Sequence, residues 1–244
     1  MTSQEYWKQR EESNYRKNVK KEKEYRKHIE EIYKDMLSEI QKEIDGFYAR
    51  YARKEGMTIA DAKKKVAKVD IEAYERKAKK YVKEKNFSEQ ANAEMRLYNL
   101  TMRVNRLELL MANIGLEMVA GFNEMDQYFG EILDDKARAE LERQAGILGM
   151  TVRNAPKKAE AIVNSSFYNA TFSQRIWLYQ DMLRNELESL LENGILQGHN
   201  PRRLAVHLRK RFGVSQFNAE RLMITEFARV QTEAQKQSLE RNGF

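Results

Sequence analysis

The sequence contains no cysteine and only two prolines among its 244 residues, and each shortage excludes a class of protein. Without cysteine there is no disulfide framework, no zinc–thiolate site and no cysteine nucleophile. Two prolines and eleven glycines argue against a sheet-rich fold, because short strands need frequent turns. No run of about 18 apolar residues occurs, so no membrane-spanning helix is expected. The sequence therefore predicts an all-α protein.

The motifs of the common catalytic and nucleotide-binding sites do not occur either. There is no G-x-x-x-x-G-K-[ST] or G-x-G-x-x-G loop to hold phosphates and no G-x-S-x-G nucleophile elbow. His28, His199 and His207 are not in a metal-binding spacing, and we expect them on the surface or next to a helix cap. We expect carboxylates such as Asp134 and Asp135 to be solvated or to complement helix dipoles. These observations predict no enzymatic activity, no metal and no cofactor.

Charged residues, in contrast, make up 33% of the chain, and the mean hydropathy is −0.79. This composition favours long amphipathic helices with wide solvated faces over a thick core. The net charge of +7 is unevenly spread. Residues 51–86 carry +6 and residues 199–244 carry +5, whereas residues 87–198 carry −5. The two basic segments suggest an anionic partner.

The basic segments place lysine and arginine close together on predicted helices, and Tyr74 and Tyr81 are interleaved with the first of them. Such side chains can neutralise phosphates without reading the base sequence. A solubilising surface and electrostatic docking to an acidic protein remain the alternatives. The candidate nucleic-acid contacts are Lys63, Lys64, Lys65, Lys79, Lys80, Lys83, Arg202, Arg203, Arg209, Lys210 and Arg211.

Apolar residues recur every three or four positions along most of the chain, which predicts an elongated helical bundle with a long N-terminal helical arm. The first 24 residues of the arm are almost purely polar, so we expect this part to need a partner to stay ordered. Helices are predicted at 4–53, 71–86, 89–130, 136–148, 156–164, 174–196, 202–213 and 216–242. The predicted N-caps are Thr58, Asp70, Ser88, Ser173, Asn200 and Ser215. The predicted helix-ending glycines are Gly56, Gly146, Gly149, Gly194 or Gly198, Gly213 and Gly243.

Thr225 and Glu226 stand within the last predicted helix. We expect Thr225 to bond to a carbonyl one turn earlier or to meet a neighbouring helix. Glu226 is expected to pair with Arg175 or with the arginines at 202–203. Three roles are open for the Thr225–Glu226 pair: organising a helical bundle, binding a partner and taking part in catalysis. The stripe expected to be buried on this helix consists of Met223, Phe227, Val230 and Ala234.

Three pieces in the last third of the chain occur in an order that is typical of one family. They are "FSQRIW" at 172–177, "GILQGHNPRRLA" at 194–205 and "TEFARVQTEAQ" at 225–235. In this order they resemble the phage head-morphogenesis family, the portal-associated minor head proteins of tailed bacteriophages, related to the F-type minor head proteins of phage Mu. The last piece is similar to the family's signature helix: Thr225, Glu226 and Ala228 match, and Ile224 stands where many members have arginine.

The resemblance implies a non-enzymatic virion component that docks on the portal inside the capsid and passes through the host cytoplasm during assembly. It would assist head assembly, DNA packaging or DNA ejection, without a cofactor or a membrane. Its partners would be the portal protein, the major capsid or scaffolding protein, and double-stranded DNA non-specifically. Residues 165–244 would form the signature domain, after an arm at 1–55 and a helical region at 56–164. The family-signature positions are Phe172, Arg175, Trp177, Asn200, Pro201, Thr225, Glu226 and Arg229.

The chain departs from the family in one respect. Many members continue into a segment with cysteine and histidine, and some carry a toxin-like enzyme domain, but this sequence contains neither. Either the protein is a short form or the chain continues, and because Phe244 directly follows a helix-ending glycine, we expect a continuation after it. With a continuation, the chain could be the assembly-targeting part of a larger enzyme. Independently of the chain end, the basic segments leave open a sequence-independent DNA-binding protein that acts on phage DNA in the infected cell.

Overall fold

A computed structural model describes residues 2–51, 68–85, 106–147, 152 and 154–240. The helices in these ranges are α1 (Ser3–Tyr51), α2 (Lys68–Lys85), α3 (Arg106–Ile147), α4 (Ala155–Val163), α5 (Phe172–Leu196) and α6 (Pro201–Glu240). The described ranges contain no strand, only an isolated β-bridge between Phe167 and Ala170. The predictions of an all-α bundle and of a long N-terminal helix are confirmed.

Several sequence-based predictions lie outside the described residues. They concern the glycines Gly56, Gly149 and Gly243, the caps Thr58 and Ser88, the lysines Lys63, Lys64 and Lys65, the first half of the helix predicted at 89–130, and the end at Phe244.

Helices α3 and α6 lie next to each other at the centre of the bundle, and α1 and α5 each pack against both. Helix α1 runs antiparallel to these two, since Asn18 near its start meets Lys136 and Gln231 near their ends. With 49 residues, α1 is about 70 Å long, which makes the bundle elongated. The polar start of α1, for which we expected an external partner, is thus in contact with α3 and α6.

Tyr33 joins the three longest helices in the core. Its ring packs edge-on against Phe122 of α3, with centroids 5.9 Å apart, and against Phe212 of α6, with centroids 6.2 Å apart. Its hydroxyl shares a hydrogen bond of 2.8 Å with Ser215 Oγ of α6. Burial raises the pKa of Tyr33, so the phenol stays neutral.

The break predicted at Gly213 and Ser215 is wrong, because α6 is continuous from 201 to 240. Its buried stripe runs through Phe212, Ser215 and Ala219 without interruption, so tertiary packing outweighs the low helix propensity of glycine. Ser215 is a buried partner of Tyr33 and not an N-cap.

The break predicted at Asp134 and Asp135 is also wrong. Helix α3 passes through both, because Leu133, Ala137 and Leu141 keep one buried stripe in register across them. At the start of α5 the N-cap is Thr171 instead of Ser173.

Other boundaries agree with the sequence. A proline stands at the first turn of α4, and Asn200 caps α6 by accepting a bond of 2.9 Å from Arg203 N–H. Gly198 follows the end of α5 with a φ of 76°, the left-handed conformation typical of a C′ glycine. Gly194 is instead a buried helix residue at which an added Cβ would come within 2.4 Å of Leu204 Cδ2. The N-cap predicted at Asp70 is wrong, because α2 begins at Lys68 and Asp70 lies within its first turn.

Candidate functional site

The start of α5 is fixed by a capping box. Thr171 Oγ1 accepts a bond of 3.2 Å from Gln174 N–H, and Gln174 Oε1 accepts a bond of 2.8 Å from Thr171 N–H. This reciprocal pair satisfies two backbone donors and sets the first turn of the helix. Arg175 lies in that turn and is directed to α6.

Arg175, Glu226 and Arg229 form a buried ionic cluster, which we call the Glu226 clamp. Arg175 Nη1 donates to Glu226 Oε1 at 2.9 Å, and Arg229 Nε donates to Glu226 Oε2 at 2.6 Å. The Glu226 side chain is 1% exposed. The expectation that Glu226 pairs with Arg175 is confirmed; the alternatives, Arg202 and Arg203, are exposed side chains.

The clamp also holds the segment that follows α4. Arg229 donates to the carbonyls of Ile162 at 2.9 Å and Val163 at 3.0 Å, and to Ser165 Oγ at 2.7 Å. Because the last carbonyls of a helix lack intrahelical partners, these bonds satisfy the C-terminus of α4. Arg175 adds a bond from its other nitrogen, Nη2, to the carbonyl of Phe167. One buried carboxylate thus orients two arginines that tie α4, α5 and α6 together.

Beyond the clamp the chain makes a tight two-residue turn at 168–169. Phe167 and Ala170 exchange both backbone hydrogen bonds, at 2.9 and 3.3 Å. Tyr168 and Asn169 between them have φ values of 47° and 63°, as in a type I′ turn. The Tyr168 side chain is 85% exposed. We call residues 164–170 the Tyr168 turn.

The remaining residues predicted as signature positions serve the fold. Phe172 is buried and stacks on Phe129 of α3, with centroids 6.3 Å apart. Trp177 is half-buried and packs against the core. Thr225 donates to the Arg221 carbonyl at 2.9 Å, which confirms the expected bond to the preceding turn.

Asn200 and Pro201 together open α6. They precede the second group of candidate nucleic-acid contacts, which are all exposed on the first turns of α6: Arg202, Arg203, Arg209, Lys210 and Arg211. Arg211 lies 3.5 Å from Glu186 of α5. The described members of the first group are exposed on α2: Lys79, Lys80 and Lys83.

A groove between α1 and α6 brings some of these cations next to lysines that the sequence did not single out. Its volume is about 440 Å³, and its walls include Lys34 and Lys42 of α1 and Arg202 and Arg209 of α6. Asp45 is the one carboxylate among the lining residues. The groove is therefore electropositive, with cations contributed by both helices.

Lys77, Tyr74 and Tyr81 do not belong to a solvent-facing basic surface. Lys77 pairs with Glu43 of α1 and, at 2.8 Å, with Glu117 of α3, which also accepts a bond of 2.6 Å from the Tyr81 hydroxyl. Burial opposes the charge on Lys77, but the bonds to both glutamates outweigh it and raise the Lys77 pKa. Tyr74 is buried in the contact between α2 and α3. This ionic group holds α2 against the bundle.

The sequence analysis also did not predict the burial of two charged residues near the end of α3. Glu140 is 2% exposed and accepts bonds from Arg143, Gln144 and Gln235; although burial opposes the charged form, these bonds lower its pKa. Lys136 is 5% exposed. Neither the spacing nor the composition of α3 distinguishes them from its solvated residues.

Lys136 lacks a carboxylate within salt-bridge distance among the described residues. Its ammonium lies 4.5 Å from the centroid of the Phe227 ring and donates to Asn18 Oδ1 at 3.2 Å. Burial lowers the pKa of Lys136 to about 8; the charge of Glu140 opposes this effect, and Lys21 and Arg143 add to it.

No family model matches the chain, and no curated protein or solved structure matches it. Within the ranges that the structure describes, no group of three or more histidine, aspartate or glutamate side chains is placed to hold a metal ion. None of the described helices is long and apolar enough to cross a membrane.

Proposed function

We propose that this chain is a non-enzymatic minor head protein of a tailed bacteriophage. In this role it associates with the portal on the inner side of the capsid and assists head assembly, DNA packaging or DNA ejection. The proposal rests on the three sequence pieces at 172–177, 194–205 and 225–235 that resemble the phage head-morphogenesis family.

The observation that best supports the proposal is that the first and third of these pieces meet in space. Arg175 of the first piece and Glu226 and Arg229 of the third form the Glu226 clamp. The middle piece connects the two helices that carry the other pieces, and within it Gly194 at the end of α5 lies against Leu204 at the start of α6. A motif whose parts are distant in sequence but joined by buried contacts is expected if it specifies one structural unit. Within this unit Glu226 organises the bundle, whereas Thr225 is exposed and bonds to the Arg221 carbonyl of its own helix.

The test is to purify virions of the encoding phage and to search them for this chain by mass spectrometry. The proposal predicts tryptic peptides of the chain in virions that have been washed at high salt. Such a wash removes proteins held only by exposed charges, since those interactions are screened. Absence of the chain from washed virions, when the portal protein is detected in the same sample, would contradict the proposal.

A second function, sequence-independent DNA binding in the infected cell, is favoured by the exposed cations. Arg202 and Arg209 share the groove with Lys34 and Lys42. A site of this kind contacts phosphates, so its affinity for any duplex should fall steeply between about 50 and 200 mM salt. The measurement is fluorescence anisotropy with a labelled duplex. Lack of binding even at the lowest salt would eliminate this function.

A further inference from the structure

Three exposed cations line the groove between α1 and α6 without a partner among the described residues. They are Lys34 of α1 and Arg202 and Arg209 of α6. Within the part of the chain that the structure describes, none of these side chains donates a hydrogen bond or forms an ion pair. Lys42 in the same groove is instead bonded to Glu39 at 2.6 Å. A bound anion would therefore meet three cations without displacing an internal contact.

The sequence that forms the α6 wall makes the groove strongly positive. From His199 to Ala219 the chain contains five Lys or Arg residues and no Asp or Glu. Pro201 also lines the groove, and it stands in the first turn of α6, where the helix dipole adds positive potential. On the α1 wall, Asp45 is the one carboxylate among the described lining residues, and it accepts a bond of 3.0 Å from Gln41 Nε2. Charge complementarity therefore favours an anionic ligand.

The described residues that line the groove provide charge but include no aromatic ring. The side chains between the charged ones are short or half-buried: Leu37, Ser38, Gln41 and Ala205. Proteins that bind single-stranded nucleic acid stack its bases on aromatic side chains, and grooves that bind a partner helix accept its apolar anchors. Leu37, the largest apolar side chain of the lining, packs against the core instead. A ligand of this groove is therefore held through its charges, which favours a nucleic-acid backbone over exposed bases or a protein helix.

The spacing of the two arginines suits consecutive phosphates of duplex DNA. Arg202 and Arg209 both line the groove and are seven residues apart, which is about 10 Å along the axis of α6. Each strand of a DNA duplex carries about one charge per 3.4 Å of axis, so this length spans about three phosphates. Lys34 of the facing helix brings the number of unpartnered cations to three. The number of these cations thus equals the number of phosphates within reach.

We propose that the groove between α1 and α6 binds double-stranded DNA through about three consecutive phosphates of one strand. Arg202, Arg209 and Lys34 donate to the phosphate oxygens, and no side chain of the groove reads a base edge. The groove has a volume of about 440 Å³, so it accommodates part of one backbone, and the rest of the duplex lies outside it.

This inference rests on the second proposed function, DNA binding without sequence preference. It adds to that function the duplex form of the ligand, the residues that contact it and the number of phosphates. It also excludes the exposed lysines of α2 as contacts, Lys79 and Lys83 among them, because none of the described lining residues belongs to α2.

The test compares two double variants of the full chain that change its charge equally. Lys34→Gln with Arg209→Gln removes two groove cations, whereas Lys79→Gln with Lys83→Gln removes two exposed lysines of α2. Each variant lowers the net charge from +7 by two, so a difference between them reports position and not total charge. All four side chains are exposed, so Tm should stay within about 2 °C of wild type. Binding to a labelled duplex is measured by fluorescence anisotropy at several salt concentrations.

Three phosphate contacts predict that the logarithm of the binding constant falls against the logarithm of the salt concentration with a slope of about −2.7. Wild type should then lose about 40-fold in affinity between about 50 and 200 mM salt. The groove variant should have a slope of about −1 and bind at least about tenfold more weakly at the lower salt. The α2 variant should keep the wild-type slope, with an affinity within about twofold of wild type.

Asp45→Asn supplies a change of the opposite sign. It removes the carboxylate of the lining and keeps an oxygen acceptor for Gln41. Because a negative charge no longer repels the phosphates, DNA binding should become tighter by about twofold or more at low salt.

Equal slopes and affinities of the two double variants, or weaker binding by Asp45→Asn, would overturn the groove as the site and leave DNA binding intact. A wild-type chain that binds no duplex would overturn both this inference and the second proposed function. Tighter binding of one separated strand, or of a polyglutamate peptide, than of the duplex at the same salt would overturn the choice of ligand.

Discussion

Replacing Glu226 by glutamine tests the Glu226 clamp with little change of shape. Glutamine keeps one carbonyl acceptor but loses the negative charge, and its amide N–H₂ must face one of the two arginines. That arginine then meets a donor in place of an acceptor. Two charge-assisted bonds, of 2.9 and 2.6 Å, are weakened or lost at a side chain that is 1% exposed.

The loss of stability expected for Glu226→Gln is large because the Glu226 side chain is buried. Removing one partner of a buried ion pair costs about 3–5 kcal/mol, because the remaining charge is left buried and uncompensated. Arg175 and Arg229 keep backbone carbonyls as acceptors, so we expect the lower end, about 3 kcal/mol. In a chain of this size, each kcal/mol lowers Tm by about 2–4 °C, which gives a fall of about 6–12 °C.

The assay is urea denaturation followed by circular dichroism, together with differential scanning calorimetry. Glu240→Gln on the same helix is the matched control, because Glu240 forms an exposed i,i+4 pair with Lys236 at 3.8 Å. The control should lose less than about 0.5 kcal/mol. If Glu226→Gln costs no more than this control, the clamp contributes no more than a surface ion pair, and its role in holding α4, α5 and α6 together is refuted.

Four further changes test other parts of the bundle. Lys136→Met should raise the free energy of unfolding at pH 7 by about 2–3 kcal/mol, because a buried charge is replaced by an apolar side chain of similar length. Gly194→Ala should lower it by about 1–3 kcal/mol, because the new Cβ meets the buried Leu204 side chain. Gly213→Ala, with no atom within 4 Å of the new Cβ, should raise it by about 0.5–1 kcal/mol. Thr171→Ala removes the capping box of α5 and should cost about 1 kcal/mol.

The gain from Lys136→Met should depend on pH in a defined direction. The pKa of Lys136 is lowered from 10.5 to about 8, so between these values the unfolded chain binds more protons than the folded one. The wild-type free energy of unfolding should therefore rise with pH across this window relative to the variant. The full cost of burying the charge is present below pH 8 and is gone above about pH 10.5. A difference between the two proteins that stays constant from pH 7 to pH 10 would contradict this assignment.

The two glycine substitutions are expected to change the free energy of unfolding in opposite directions. If Gly213→Ala destabilises the protein as much as Gly194→Ala does, then α6 is not continuous through residue 213. The helix break at Gly213 that was predicted from the sequence would then be correct. If Thr171→Ala leaves stability unchanged and Ser173→Ala lowers it, the cap lies at the position predicted from the sequence.

The sequence predicts well what depends on local periodicity and charge. The stripe at Met223, Phe227, Val230 and Ala234 is buried as its spacing indicates. The pairing of Glu226 with Arg175 was one of two predicted alternatives, because a glutamate next to a buried stripe requires a cation.

Features that depend on distant contacts could not be predicted. Ser215 after Gly213 has the pattern of an N-cap, and only Tyr33, 182 residues away, shows that it is a core hydrogen-bonding partner. In the sequence, Lys136 and Glu140 cannot be told from surface charges. They are buried because α1 and α6 pack against the end of α3, and these contacts are distant in sequence. The Tyr168 turn could not be predicted from the sequence either, because a positive φ is not expected at tyrosine.

The central claim, that this chain is a virion component held by the portal, is tested most directly with proheads. The measurement is quantitative mass spectrometry of this chain, normalised to the major capsid protein, in proheads assembled with and without the portal protein. We predict that the chain is present in portal-containing proheads and absent from those without a portal. Equal amounts in both would contradict the claim.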